Sequence, residues 1–266
     1  MTDQRFPSQW PALLGAVAAL VLAATGCCRQ GDPYITAMLD TEPHLADRPV
    51  VVTVPAEEAG QRLALGNLDL GLPRDWRGGQ VRLLARGTPC FGYGDTVLAP
   101  LTGTHDSQPF AAEVAYRPET SSLRLPEPGL CVALSHATAD PEKFLRGFPT
   151  DLALFEAAHN ARPADLEGLH GRQRERLLAL LVLKRHWALP PVRRLVLAEG
   201  HAFAWTCEME PAVMVDLFDR SGTHRGQLSL IFPERPPSDA TERITDRLLT
   251  NLRFGREEGE GVSSGP

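Results

Sequence analysis

The stretch Val192–Phe232, VRRLVLAEGHAFAWTCEMEPAVMVDLFDRSGTHRGQLSLIF, decides the fold. It holds four apolar runs, at 192–198, 202–209, 212–218 and 227–232. Runs this short, with β-branched and aromatic residues, read as strands. Glu199-Gly200, Glu210-Pro211 and Arg220-Ser221-Gly222-Thr223 supply the turns between them. Consecutive strands joined by short turns pair antiparallel. Phe203, Trp205 and Cys207 share one face of the second strand, with His201 by parity. Val213, Val215 and Leu217 share one face of the third.

A helix follows the meander. Ser238 reads as its cap, and Ile244, Leu248 and Leu252, with Leu249, form an apolar stripe over 239–251. Such a stripe must be covered, and the sheet is the nearest apolar surface in sequence. The fold class is therefore α+β: a mainly antiparallel sheet with helices packed against it.

The segment before the meander is helical. Asp140-Pro141-Glu142 combines a capping Asp, a Pro at the first helical position and an acid in the first turn. Gly147 and Pro149 end that helix; Thr150 or Asp151 opens a second, and Pro163 and Asp165 a third. Gly171 precedes Arg172–Trp187, whose front is charged and whose Leu177–Leu183 middle is apolar almost all round. A helix of that kind belongs between layers.

Further back, Val50–Val54 is a β-branched run ending at Pro55. Leu68, Leu70 and Leu72 alternate with Asp69 and Gly71 up to Pro73; Gly78-Gly79 marks a turn, and 81–85 a further strand. Residues 88–128 are rich in Gly, Pro, Ser and Thr, with short strands expected at 97–98 and 111–116. Loops of this kind carry function, so this region is where a specific role is expected. Cys131–Ser135 reads as another buried strand. Gly255–Pro266 reads as a disordered tail.

Near the start, Trp10–Cys28 reads WPALLGAVAALVLAATGCC. Its apolar run, 12–24, fits a secretory h-region of roughly 7–15 residues and is shorter than the roughly 20 of a spanning helix. Ala24-Thr25-Gly26-Cys27 resembles the lipobox of bacterial lipoproteins. The resemblance implies cleavage before Cys27 and lipid on Cys27. A retained single-helix anchor and a plain cleaved signal are the alternatives, and each puts the folded part outside the cytoplasm. The expected organisation is a signal peptide over 1–26, a lipidated tether over 27–46 and one domain over 47–254. In the lipoprotein family an Asp after the lipidated Cys retains the protein at the inner membrane. Cys28 stands there, which points to the outer membrane, with the periplasmic face of the inner membrane as alternative.

Two short stretches of the body resemble PsbP-like and DcrB-like α/β domains. They are Leu72-Pro73 with Trp76 at a strand end, and Phe218-Asp219-Arg220-Ser221-Gly222 at a hairpin before a closing helix. The resemblance covers 63–85 and 192–254 and leaves the middle of the chain unexplained.

Composition narrows the function. The chain has 266 residues, 43% apolar and 23% charged, with net charge −6. Those are proportions of a globular protein. An acidic chain is ill suited to nucleic acid, whose binding rests on neutralising phosphates. In an oxidising compartment cysteines pair; Cys90 and Cys131 are the expected bridge, buried free thiols being the alternative. No Gly-x-Ser-x-Gly joins a strand to a helix, and no HExxH or paired CxxC occurs. His201 and Cys207, six residues apart on one strand, lie roughly 20 Å from each other. Asp216 and Asp219, with Glu208 and Glu210, form the only candidate carboxylate cluster, and Asp219 is more simply a turn residue. No catalytic, cofactor or metal residue is assigned. The expected role is a non-catalytic envelope lipoprotein that binds a protein partner or supports envelope assembly. The alternatives are a small-ligand module and a hydrolase with an unrecognised site.

Overall fold

A computed structural model describes residues 33–55, 57–83, 96–119, 122–125, 128–187, 191–207, 209–234 and 236–255. The signal stretch, Cys27, Cys90 and nearly all of the expected tail lie outside them. The chain divides into two units, residues 1–43 and 44–266. Within the first, Pro33–Thr41 forms helix α1, where only a helical turn at Met38-Leu39 is expected from the sequence. Pro sits at its first position, which needs no donor, and Glu42 N–H closes the last turn on Met38 C=O.

The second unit is α+β. In chain order its elements are β1 (Val50–Thr53), β2 (Ala59–Leu65), β3 (Leu68–Pro73), β4 (Arg77–Gly78), β5 (Arg82–Leu83), β6 (Val97–His105) and β7 (Gln108–Pro118). Then come α2 (Pro128–Ser135), α3 (Pro141–Arg146), α4 (Asp151–Asn160), α5 (Gly171–Trp187), β8 (Arg193–Leu197), β9 (Gly200–Cys207), β10 (Ala212–Asp219), β11 (His224–Ile231), α6 (Ser238–Leu249) and β12 (Leu252–Phe254).

The expected meander is present. β8, β9, β10 and β11 pair antiparallel in sequence order, with Leu195 opposite Ala202 and Val215 opposite Leu228. They form the centre of a nine-stranded sheet, ordered β1-β8-β9-β10-β11-β7-β6-β4 with β5 also on β6. Among the described strands only β1 runs parallel to its neighbour. A smaller sheet, β12-β3-β2, is antiparallel throughout.

Period-two alternation sends side chains to two cores. On one face Ala202, Ala204, Val213, Val215 and Leu217 meet the leucines of β2 and β3 and Ile244, Leu248 and Leu249 of α6. On the other, Phe203, Trp205, Cys207, Met214 and Phe218 meet Phe155 of α4 and Trp187 of α5. All eight residues of β10 are buried, as a strand between two covered faces requires. The α6 helix docks as its stripe demands. Its cap is Pro237, with no side-chain bond, and Ser238 is the first helical residue. Leu252 belongs to β12.

Three expectations fail on local geometry. Cys131–Ser135 lies in α2, not a strand: Leu130 and Leu134 are buried while Val132 is 65% exposed. That is helical spacing; in a strand all three would share a face. The region expected to be loops around short strands is a long hairpin, β6–β7. Asp106 and Ser107 both take positive φ, 50° and 65°, and close it in two residues. The third expected helix is one 3-10 turn, Pro163–Leu166.

Trp76 is fully buried, against Phe110 with centroids 4.9 Å apart. Its Nε1–H donates to Thr104 C=O at 3.1 Å. It lies so close over Gly103 that a Cβ there would come within 2.4 Å of the indole. The interior of α5 is buried from Ala179 to Lys184. Lys184 Nζ donates to Leu45 C=O at 2.9 Å, Ala161 C=O at 3.0 Å and also Asp47 C=O. It thus ties the start of the unit to α4 and α5.

Candidate functional site

The site begins with a β-bulge. Between Leu217 and Phe218 the β10–β11 register shifts, so that His224 faces Phe218 across the hairpin. Their rings lie 5.0 Å apart. His224 Nε2 stands 3.1 Å from Asp216 Oδ1, and Nδ1 stands 3.5 Å from Glu119 Oε2. The second contact is an ion pair too long for a good hydrogen bond. Burial alone would lower the imidazole's pKa. The bonds and charges of Asp216 and Glu119 outweigh it and push the group up to about 9. His224 is therefore an imidazolium at neutral pH.

Strand pairing builds the floor around it. Asp216 of β10 faces Gln227 of β11, and Gln227 faces Arg117 of β7. An acid, an amide and a guanidinium thus stand in one row across three strands, at a strand spacing of about 4.8 Å. The α4 helix fixes one end. Thr150 caps it, accepting from Ala153 N–H at 3.0 Å. Asp151, in the first turn and 2% exposed, accepts from His224 N–H at 3.1 Å and from the Ser122 hydroxyl. Arg124 Nε donates to it at 3.3 Å.

Above the floor is a cavity of about 180 Å³. Its polar lining includes Arg117, Glu119, Asp216, His224 and Gln227, with Ser122 and His186, and Trp187, Phe155, Leu123, Leu125 and Leu130 form its apolar walls. Trp187 stacks on Phe155 at 5.1 Å and 11°. Ser122 is held by Asp151 and not by the imidazole, and a protonated His224 has no lone pair with which to activate it.

The residues singled out in the sequence scatter. Of the candidate carboxylates Asp216 reaches the cleft, and Glu208 lies outside the described residues. Asp219 is a turn residue, accepting from Ser221 N–H at 2.8 Å and Thr223 N–H at 3.1 Å and pairing with Arg225. Cys131 carries a free thiol at a half-buried position on α2; Cys90, its expected partner in a bridge, lies outside the described residues. Cys207, buried on β9, is disulfide-bonded. His201 stays near the start of β9, and burial lowers its pKa. No group of three or more metal-ligating side chains occurs among the described residues. His224 is missed in the sequence because it falls between the expected turn, which ends at Thr223, and the expected strand, which begins at Gln227. The bulge and Gly226, at φ 132°, let β11 begin three residues before Gln227.

A larger groove of about 410 Å³ is lined by Glu199, Asp219, Arg220, Ser221, Arg253 and Phe254. Part of its lining is paired within the fold: Arg220 donates to Ala198 C=O at 2.7 Å and pairs with Glu199.

No family model, no curated protein and no solved structure matches the chain. Among the described residues no helix is long and apolar enough to cross a membrane.

Proposed function

We propose that this chain is an envelope lipoprotein, held to the outer membrane by lipid on Cys27, whose α+β domain works by binding rather than by making bonds. The cleft is the observation that carries the binding role. Polar groups converge there, but the imidazole is committed as a cation between two carboxylates. A group so held orients a ligand and does not serve as a general base. A concave cleft with polar floor and aromatic wall favours a small ligand over the protein partner that the sequence puts first.

The address rests on the Ala24–Cys27 lipobox and gains support from the Cys207 disulfide, since such bonds persist in oxidising compartments. The resemblance to PsbP-like and DcrB-like domains belongs to the same proposal. It is carried by Leu72-Pro73 with Trp76, and by the Phe218–Gly222 turn. Palmitate labelling tests the anchor: Cys27→Ser should abolish it and leave an unprocessed precursor. Unchanged labelling overturns the anchor, and recovery only in the inner membrane overturns the outer-membrane placement.

A further inference from the structure

We propose that strand β1 is a docking edge for a second copy of this chain, the two joined by a two-fold axis at Val52. The lipid anchor proposed above adds only local concentration to this pairing.

The nine-stranded sheet ends at β1, which pairs with β8 alone. Val50 N–H donates to Val192 C=O and Val54 N–H to Val196 C=O, both at 3.1 Å. Backbone groups alternate in direction along a strand, so those of Val51 and Thr53 point away from β8. Among the described residues nothing pairs with them.

Sheets protect such edges with charges, prolines or very short strands. The other edges of this fold are protected. β4 and β5 are two residues long and carry Arg77 and Arg82, while β2 carries Arg62 and β12 carries Arg253. Each of these arginines is exposed. β1 reads Val-Val-Val-Thr and has no charge. Val50 and Val51, on opposite faces, are 59% and 60% exposed. Val50 also lines a largely apolar groove of about 140 Å³ with Pro191, Trp205 and Val213. Apolar surface therefore continues inward from the strand.

The position of the donors selects the occupant. Pro49 and Pro55 flank the strand and have no N–H. The outward donors between them, on Val51 and Thr53, are symmetric about Val52. An antiparallel copy related by a two-fold axis there sets each Val51 opposite the other copy's Thr53, and both outward residues of each copy find partners. β-Branched side chains facing each other across such a ladder are favourable. The strand is neutral, so it offers no counter-charge to a charged partner. With the remaining edges protected, the pairing closes at two copies and does not grow into a fibre.

Disulfide trapping and sedimentation test this on the full-length chain in detergent, with micelles in excess. In the pairing, the two Val52 Cα atoms lie about 4.5 Å apart, as in a non-hydrogen-bonded antiparallel pair, within disulfide range. The two Val51 Cα atoms lie about 8 Å apart, beyond that range. Under mild oxidation Val52→Cys should give a peptide linked to its own copy, and Val51→Cys should not. Sedimentation should show a reversible dimer, with Kd on the order of micromolar or weaker for so short an edge. Val51→Lys, at an exposed side chain, should weaken it at least about ten-fold and leave the melting temperature unchanged. A monomer at every concentration tested, with no link at position 52, overturns the proposal. So does equal linking at 51 and 52, or association indifferent to Val51→Lys. Linking at 52 in a chain that takes up no palmitate would overturn the anchor and leave the pairing standing.

Discussion

His224 Nε2 lies 3.1 Å from Asp216 Oδ1, with side-chain exposures of only 4% and 9%. Two buried charges of opposite sign are tolerable together and costly apart. His224→Gln would leave Asp216 and Glu119 without their shared cation. Denaturant titration should show a loss of about 3–5 kcal/mol. Adding Asp216→Asn should recover part of it, since neighbouring changes couple. Additive losses would mean that the pair is not an ion pair.

Two histidines with the same ordinary pKa, 6.5, are displaced in opposite directions. His224 is raised to about 9, so its contribution is complete below pH 6.5 and fades as pH climbs towards 9. His159, between Phe155 and Phe203, is lowered to about 3 by burial and then by Lys184. Its contribution is complete above pH 6.5 and fades as pH falls towards 3. Lys184 is lowered to about 8, chiefly by burial, and adds an opposing slope above that pH. Melting temperature should therefore peak near pH 6.5, with the alkaline fall clearest between 6.5 and 8. His224→Gln should flatten that limb. A parent curve level across it would contradict the assignment.

Cys207 and Cys131 should behave differently. A disulfide typically contributes 2–4 kcal/mol, so Cys207→Ala should lower the melting temperature and Cys131→Ser should not. Peptide mapping without reductant should find Cys207 cross-linked and Cys131 as a thiol. Cys131 in a bridge would refute this pairing.

Ile244 of α6 is 2% exposed, in the core between the two sheets. Ile244→Asp buries an unpaired charge and should unfold the domain. Arg243, one position round, bonds His105 at 3.0 Å and the exposed Asp106 and Asp239 at 3.1 and 3.0 Å. Arg243→Asp should cost about 1 kcal/mol or less, as exposed pairs do. Equal melting of Ile244→Asp and the parent would mean that α6 is not docked.

Where local signals agree with tertiary demand, the sequence is readable. Val213, Val215 and Leu217 alternate because β10 faces two cores, and Thr150 and Asp140 cap the helices that they precede. Reading fails where one residue type serves two structures. Leu130, Val132 and Leu134 suit a strand by composition, and only burial reveals the helical spacing. Asp106-Ser107 adopts the positive φ usually left to Asn-Gly, so the long hairpin behind it reads as loop. The cleft is less legible still. Asp216, Gln227 and Arg117 become neighbours only through strand order, and His224 joins them only through a bulge that has no signature beyond Gly226.

The order of strands has a consequence for the order of events in synthesis. Val50 pairs with Arg193, Leu70 with Leu252, and Tyr116 with Leu228. The hairpins β2–β3 and β6–β7 can close early, but neither large sheet edge from the first half has its neighbour until residues 193–231 exist. Pairings so distant in sequence form slowly. A nascent chain of this topology stays incompletely folded until its last third is made, which suits the export proposed above, since an exported protein must be threaded through a membrane before it locks.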